Sequence, residues 1–136
     1  MKVFRGDCFQ NFEIKKHVTS RYALHALFFT TNIDLARLYS QHRAKEDRFF
    51  SGGFIHSFEV PDYLLEHDFN GELSHGSKFR NLIYSLHQKG ISGAIIKNVY
   101  DYPSKDFCVF NRADIIVIFD FNLIKNQELF ESNVRF

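Results

Sequence analysis

Strand-period and helix-period segments alternate irregularly along this chain. The order is strand, strand, helix, strand, helix, then three strands. Strands outnumber helices and do not alternate with them one for one. The expected class is therefore α+β with a mostly antiparallel or split sheet, and not a regular parallel α/β fold. "KVFRG" alternates from the N-terminus and stops at Gly6, a short first strand. Residues 9 to 26 are mixed and predict a loop with one short helix. Phe28 and Phe29 close a second strand, and Asn32 or Asp34 can cap the helix that carries Leu35, Leu38, Tyr39 and His42 at spacings of three and four. "GGFIHSFEV" alternates until Pro61 ends the ladder. After the turn-rich "NGELSHG", Ser77 is positioned to cap the most regular helix, whose stripe is Phe79, Leu82, Ile83 and Leu86, with Gly90 just past its end. "GAIIKNV" and "DFCVFN" predict short strands around the loop "YDYPSK", and "ADIIVIFDF" a last, deeply buried one. The tail from Asn122 is expected to form a short terminal helix.

A chain of 136 residues with 45% apolar content is long enough to bury a core as a single domain spanning 1–136. A formal charge of +1 announces neither a nucleic-acid nor an acidic partner, although a local patch needs no global excess. Cys8 and Cys108 lie far apart without metal-ligand spacing, so they read as idle or buried thiols of a reducing cytoplasm, with a disulfide as the alternative. "MKVFRGD" lacks the apolar core of a signal peptide, and no run reaches the roughly 20 apolar residues that span a bilayer. The expected location is the cytoplasm, or export by a route that leaves no such mark, with no membrane partner.

Three stretches carry candidate chemistry. "VFRG" ends the first strand, "FFTTN" with Ala36 and Tyr39 turns the second strand into a helix, and "KDFCVFNRADI" puts an acid at the start of a late strand. In this order they resemble the mono-ADP-ribosyltransferase superfamily, over roughly residues 2 to 118. The resemblance implies a split, mostly antiparallel sheet with flanking helices around a cleft for NAD. Arg5 matches the arginine of the "YRG" strand, which holds the NAD phosphates and ribose; a planar guanidinium suits that task because it gives two parallel charge-assisted bonds. Gly6 would let a ligand approach the backbone. "FTTN" is similar to the "F-S-T-S" element of the arginine-type branch, with Thr30, Thr31 and Asn32 in the three polar places. Phe28 and Tyr39 match the aromatic and the helical tyrosine that clamp nicotinamide in the histidine–tyrosine branch, where a flat cationic ring is held by stacking and cation–π attraction. Phe29 completes the aromatic pair.

"DFCVFNRADI" follows the pattern E-Y-I-V-Y-D-x-x-Q-I of that second branch without a gap, with Asp106 in the place of the catalytic glutamate. "GISGAIIKNV" is similar to the "G-x-D-G-x-I-I-K-N-V" stretch of small phage- and toxin-associated members; Gly93, Lys97 and Asn98 match and Ser92 departs. Aspartate at 106 shortens the acidic arm by one methylene, about 1.5 Å of reach. Ser104 stands where arginine-modifying members carry a second acid, so the resemblance does not imply arginine as acceptor. Glu59, Glu72 and Asp101 are rival acids, and Asp101 is the strongest of them because its loop lies beside the same strand.

The resemblance implies an NAD-dependent ADP-ribosyltransferase with NAD as substrate and no metal. Asp106, Arg5 and Thr30 would be catalytic; Arg5, Gly6, Phe28, Phe29, Thr30, Thr31 and Tyr39 would bind NAD. The acceptor would be a protein or a nucleic acid. The setting would be a toxin with a neutralising antitoxin or inhibitor protein, a secreted effector, or a phage-encoded factor. Two alternatives stand beside it. One is a catalytically weak or inactive binding module of the same fold. The other is a small toxin ribonuclease using some of His17, His25, His42, His56, His67, His75 and His87.

Overall fold

The alternating N-terminus forms β1 (Lys2–Asp7), and the aromatic pair forms β2 (Leu27–Thr30). A computed structural model describes residues 1–14, 22–46, 52–102 and 112–134. Asp106, Ser104, Cys108, His17 and the expected strand "DFCVFN" lie outside the described residues.

α1 (Ile33–Glu46) starts where Asn32 turns its side chain back: Oδ1 accepts from the backbone N–H of Asp34 at 3.0 Å and of Leu35 at 3.3 Å. β3 (Gly53–Glu59) ends one residue before the Val60–Pro61 step. β4 (Leu65–Asp68) follows, then α2 (Ser77–Gln88), β5 (Gly93–Tyr100), β6 (Arg112–Ile118) and β7 (Lys125–Val134). Ser77 proves to be the first helical residue of α2; Gly76 occupies the cap position, and no side chain bonds there. Gly90, with φ +72°, closes α2 as expected of a left-handed C-terminal glycine. The tail is not a helix: a short 3-10 turn at Phe121–Leu123, capped by Asp120, leads into β7, because pairing along β3 satisfies its backbone.

The strands form one seven-stranded sheet in the order β4-β5-β6-β2-β1-β3-β7, antiparallel except for the β4·β5 pair that α2 bridges. Phe79, Ile83 and Leu86 of α2 are buried on Ala94 and Ile96 of β5 and Ile115 and Val117 of β6. Each such side chain contributes about 1.5–3 kcal/mol. The opposite face packs Val3, Leu27, Phe29, Phe58, Ile116 and Ile118 against segments that include Phe12, Leu64 and Ile124. The described residues are thus a mixed α+β domain around one mostly antiparallel sheet.

Two departures from a regular sheet shape the site. The first is a seam. β1 pairs with β3 along its whole length and β2 pairs with β6 along its whole length, but β1 meets β2 at one registered pair, Phe4↔Thr30. Within the one sheet, β4-β5-β6-β2 and β1-β3-β7 are thus joined by one registered pair and by core packing of Val3 with Leu27 and Phe29.

The second is a bulge in β5. Ile96 faces Ile115 and Val99 faces Ala113, so three steps on β5 match two on β6. The extra residue is Asn98, with φ +57°, and its N–H is held by Asp114 Oδ1 at 3.2 Å. Ile95 belongs to the face that carries Phe58, whereas Val99 belongs to the face that carries α2. The bulge reverses the alternation and so turns Asp101 towards the helices. Asparagine tolerates this left-handed backbone and branched residues do not. Asn98→Val is expected to lower stability by about 1–2 kcal/mol, read as the shift in urea midpoint, and Asn98→Gly to leave it nearly unchanged.

α1 lies close over β1 and β3 because the surfaces between them are small. Ala36, Ser40 and Ala44 face the sheet four residues apart and are buried. They lie over Gly6 and Gly53: a Cβ on Gly6 would sit 2.1 Å from the Ala36 carbonyl oxygen, and one on Gly53 2.5 Å from that of Ser40. The space beside Gly6 is thus taken by α1.

Candidate functional site

Arg5 leaves β1 at the seam. Nη1 donates to the Phe28 carbonyl of β2 at 3.2 Å, so this one side chain reaches across from one block of strands to the other. Nε lies 3.9 Å from the Asp7 carboxylate, and the Phe12 ring covers the guanidinium with its centroid 5.3 Å away. Arg5 is only 7% exposed. Burial pushes its pKa down to about 10, the charge of Arg43 pushes the same way, and Asp7 and Tyr39 oppose them. The group remains a cation at neutral pH. It is a buried positive charge with a second cation close by, a setting that favours an anion.

Tyr39 stands on the face of α1 that meets the end of β5. Its hydroxyl donates to Asp101 Oδ1 at 2.6 Å, and the Ser74 hydroxyl donates to the same oxygen, also at 2.6 Å. Short O–H···O contacts of this kind mark charge-assisted bonds to a carboxylate. Asp101 is 4% exposed. Ser74 arrives because the chain after β4 zips along the end of β5: Tyr100 N–H donates to the Glu72 carbonyl at 2.9 Å, and Ser74 N–H to that of Tyr100 at 3.0 Å. His75 Nε2 then bonds the Tyr102 carbonyl. A chain of hydrogen bonds thus links Tyr39, Asp101 and Ser74.

The other residues singled out in the sequence fall as follows. Thr30 is buried, and its hydroxyl accepts from the Asn32 N–H at 3.0 Å, so with the Asn32 cap it forms the turn into α1. Thr31 is exposed. Phe28 is half-buried, with its ring 5.4 Å from Tyr22 and 6.3 Å from Phe79. Phe29 is buried on the opposite face, 5.0 Å from Phe58. Of the rival acids, Glu59 bonds the Asn126 amide at 2.9 Å and Glu72 pairs with Lys78 at 2.6 Å, both in exposed settings. The described histidines are dispersed over the helices, strands and loops, and His56 is the buried one, opposite Arg5 in the β1·β3 register.

Ser74, Arg43 and Phe12 were not visible as site residues. Arg43 follows Tyr39 by one helical turn, a spacing that could have flagged it. Ser74 and Phe12 come from loops and carry no periodic signal. Beyond Phe12 lies an open groove of about 340 Å³ lined by Gln10, Asn11, Phe12, Glu13, His56, Gln127 and Leu129.

Among the described residues, no group of three or more histidine, cysteine or acidic side chains is placed to hold a metal ion. No helix among them is long and apolar enough to cross a membrane. Cys8 is buried. No protein-family model matches this chain, and no curated protein matches it.

Proposed function

We propose that this protein is an ADP-ribosyltransferase of the mono-ADP-ribosyltransferase fold, moving ADP-ribose from NAD to a protein or nucleic-acid acceptor. One observation carries the reading: a buried arginine bridges β1 and β2 where they share one registered pair, and a helical tyrosine is anchored on a buried acid. A guanidinium held this way suits a pyrophosphate, because binding a doubly charged anion offsets the penalty of its burial and of Arg43 beside it. Tyr39 offers an aromatic face nearby for the cationic nicotinamide.

In the reaction, the bond between the nicotinamide nitrogen and C1′ of the ribose breaks, and its electron pair leaves with neutral nicotinamide. Positive charge grows on C1′, as in glycoside cleavage. Asp106 is assigned the carboxylate beside the ribose, where its negative charge stabilises the transition state more than the ground state. A lone pair of the acceptor then forms the new bond to C1′, and the acceptor's proton passes to solvent or a nearby base. Asp101 is not given this role, since two hydroxyl donors already converge on it. The size and the family resemblance also suggest a conflict factor: a toxin with a neutralising partner, a secreted effector or a phage-encoded factor.

The test incubates the protein with labelled NAD and cell lysate. Asp106→Ala is expected to reduce label transfer about 100-fold or more while NAD still binds, as measured by calorimetry. Equal labelling by wild type and Asp106→Ala would remove Asp106 from the mechanism. NAD binding without turnover in the wild type would favour the inactive binding module.

A further inference from the structure

Asp101 is a buried carboxylate that the proposed chemistry does not use, and its surroundings are unusually specific. Three separate segments are arranged to deliver it. The left-handed residue Asn98 reverses the alternation of β5, so that Asp101 faces the helices. The chain after β4 is zipped onto the end of β5 and brings Ser74 to Oδ1. α1, held against β1 by Gly6, brings the Tyr39 hydroxyl to the same oxygen. Removing an ionised carboxylate from water carries a penalty of several kcal/mol, which two short hydroxyl bonds offset. A residue needed only to fill space would be better served by an apolar side chain of similar size.

The consequence falls on Tyr39. Its ring has two soft torsions, and a phenol without an anchor would sample several orientations. With its oxygen fixed on Asp101, the ring is fixed as well. We propose that Asp101, with Ser74 as its second donor, is a positioning residue that fixes the Tyr39 ring, and so sets the face offered to the nicotinamide end of NAD. This rests on the transferase reading above and extends it to a residue outside the motifs that suggested it. Fixing the ring in advance lowers the ordering cost of binding.

The experiment is a double-mutant cycle on NAD affinity, using calorimetry on the intact protein, with Asp101→Asn, Tyr39→Phe and the double variant. Asparagine keeps an acceptor oxygen and weakens the bond; phenylalanine keeps the ring and removes the anchor. Each single variant is expected to weaken NAD binding about tenfold, and the double variant no more than either alone. Ser74→Ala, a smaller change that tests the site should Asp101→Asn fail to fold, is expected to weaken binding about threefold. A parallel cycle on urea stability, without NAD, reports whether Asp101 and Tyr39 are coupled at all. Coupling in stability with unchanged NAD affinity in folded Asp101→Asn would make Asp101 merely structural and overturn the proposal while leaving the transferase reading intact. Additive losses of affinity would overturn it too. Absence of NAD binding by the wild type would remove the transferase reading, and this inference with it.

Discussion

Arg5→Met is expected to weaken NAD binding at least about 100-fold, measured by calorimetry on the folded variant. Arg5 also acts on the stability of the fold, in two opposing ways. Its guanidinium is buried, and its pKa falls to about 10 because of that burial and because of Arg43. A basic group whose pKa is lower when folded than when unfolded makes the charged form a burden on the native state. The unfolded chain then binds more protons above about pH 10, so the wild type gains stability as pH rises through about 10, and the penalty is fully present below it. Methionine has similar length and removes the charge, but it gives up the bond to the Phe28 carbonyl and leaves the buried Asp7 carboxylate without the cation 3.9 Å away, so some stability is expected to be lost as well. Denaturation at neutral pH is the check. A large loss of stability together with unchanged NAD affinity would mean that Arg5 is a structural cation and not an anion site.

The second large effect concerns Gly6. Gly6→Ala is expected to destabilise the protein by about 3 kcal/mol or more, visible as a lower urea midpoint with an unchanged slope. The added methyl would lie 2.1 Å from the Ala36 carbonyl oxygen and 2.6 Å from the Ser40 nitrogen. Both are backbone atoms of α1, so no side chain can swing aside. The helix would have to lift from β1, carrying Tyr39 away from Asp101. NAD affinity in any folded fraction should fall along with stability, which distinguishes this glycine from one that merely gives a ligand room.

Where periodicity and burial coincide, the sequence was a sufficient guide. Phe79, Ile83 and Leu86 recur at helical spacing and are buried as α2. "KVFRG" and "FIHSFE" alternate, and both are strands with a helix on one face and packed loops on the other. β4 left no trace because all four of its residues are exposed at the sheet edge, so nothing selects an apolar alternation. β7 was misread for the same reason: residues 125 to 130 are exposed, and its strand character comes from β3, far away in the chain. The Asn98 bulge is a backbone event, and "IIKNV" does not announce where the alternation reverses. At the site, Arg5 and Tyr39 were legible as residue types in a motif order, whereas the bond that ties Tyr39 to Asp101 spans 62 residues and that from Ser74 spans 27. Such pairings depend on the finished topology.

The single registered pair between β1 and β2 also has a mechanical meaning. A sheet resists parting in proportion to the rungs that cross a boundary, and here one registered pair does so, with the Arg5 bond and the packing of Phe29 on Phe58 beside it. Force applied to the guanidinium of Arg5 is therefore delivered to a line with few rungs. An occupant that grips it works as a clasp across two halves that could otherwise flex against each other, and amides bordering that line should become slower to exchange with deuterated solvent when it is in place.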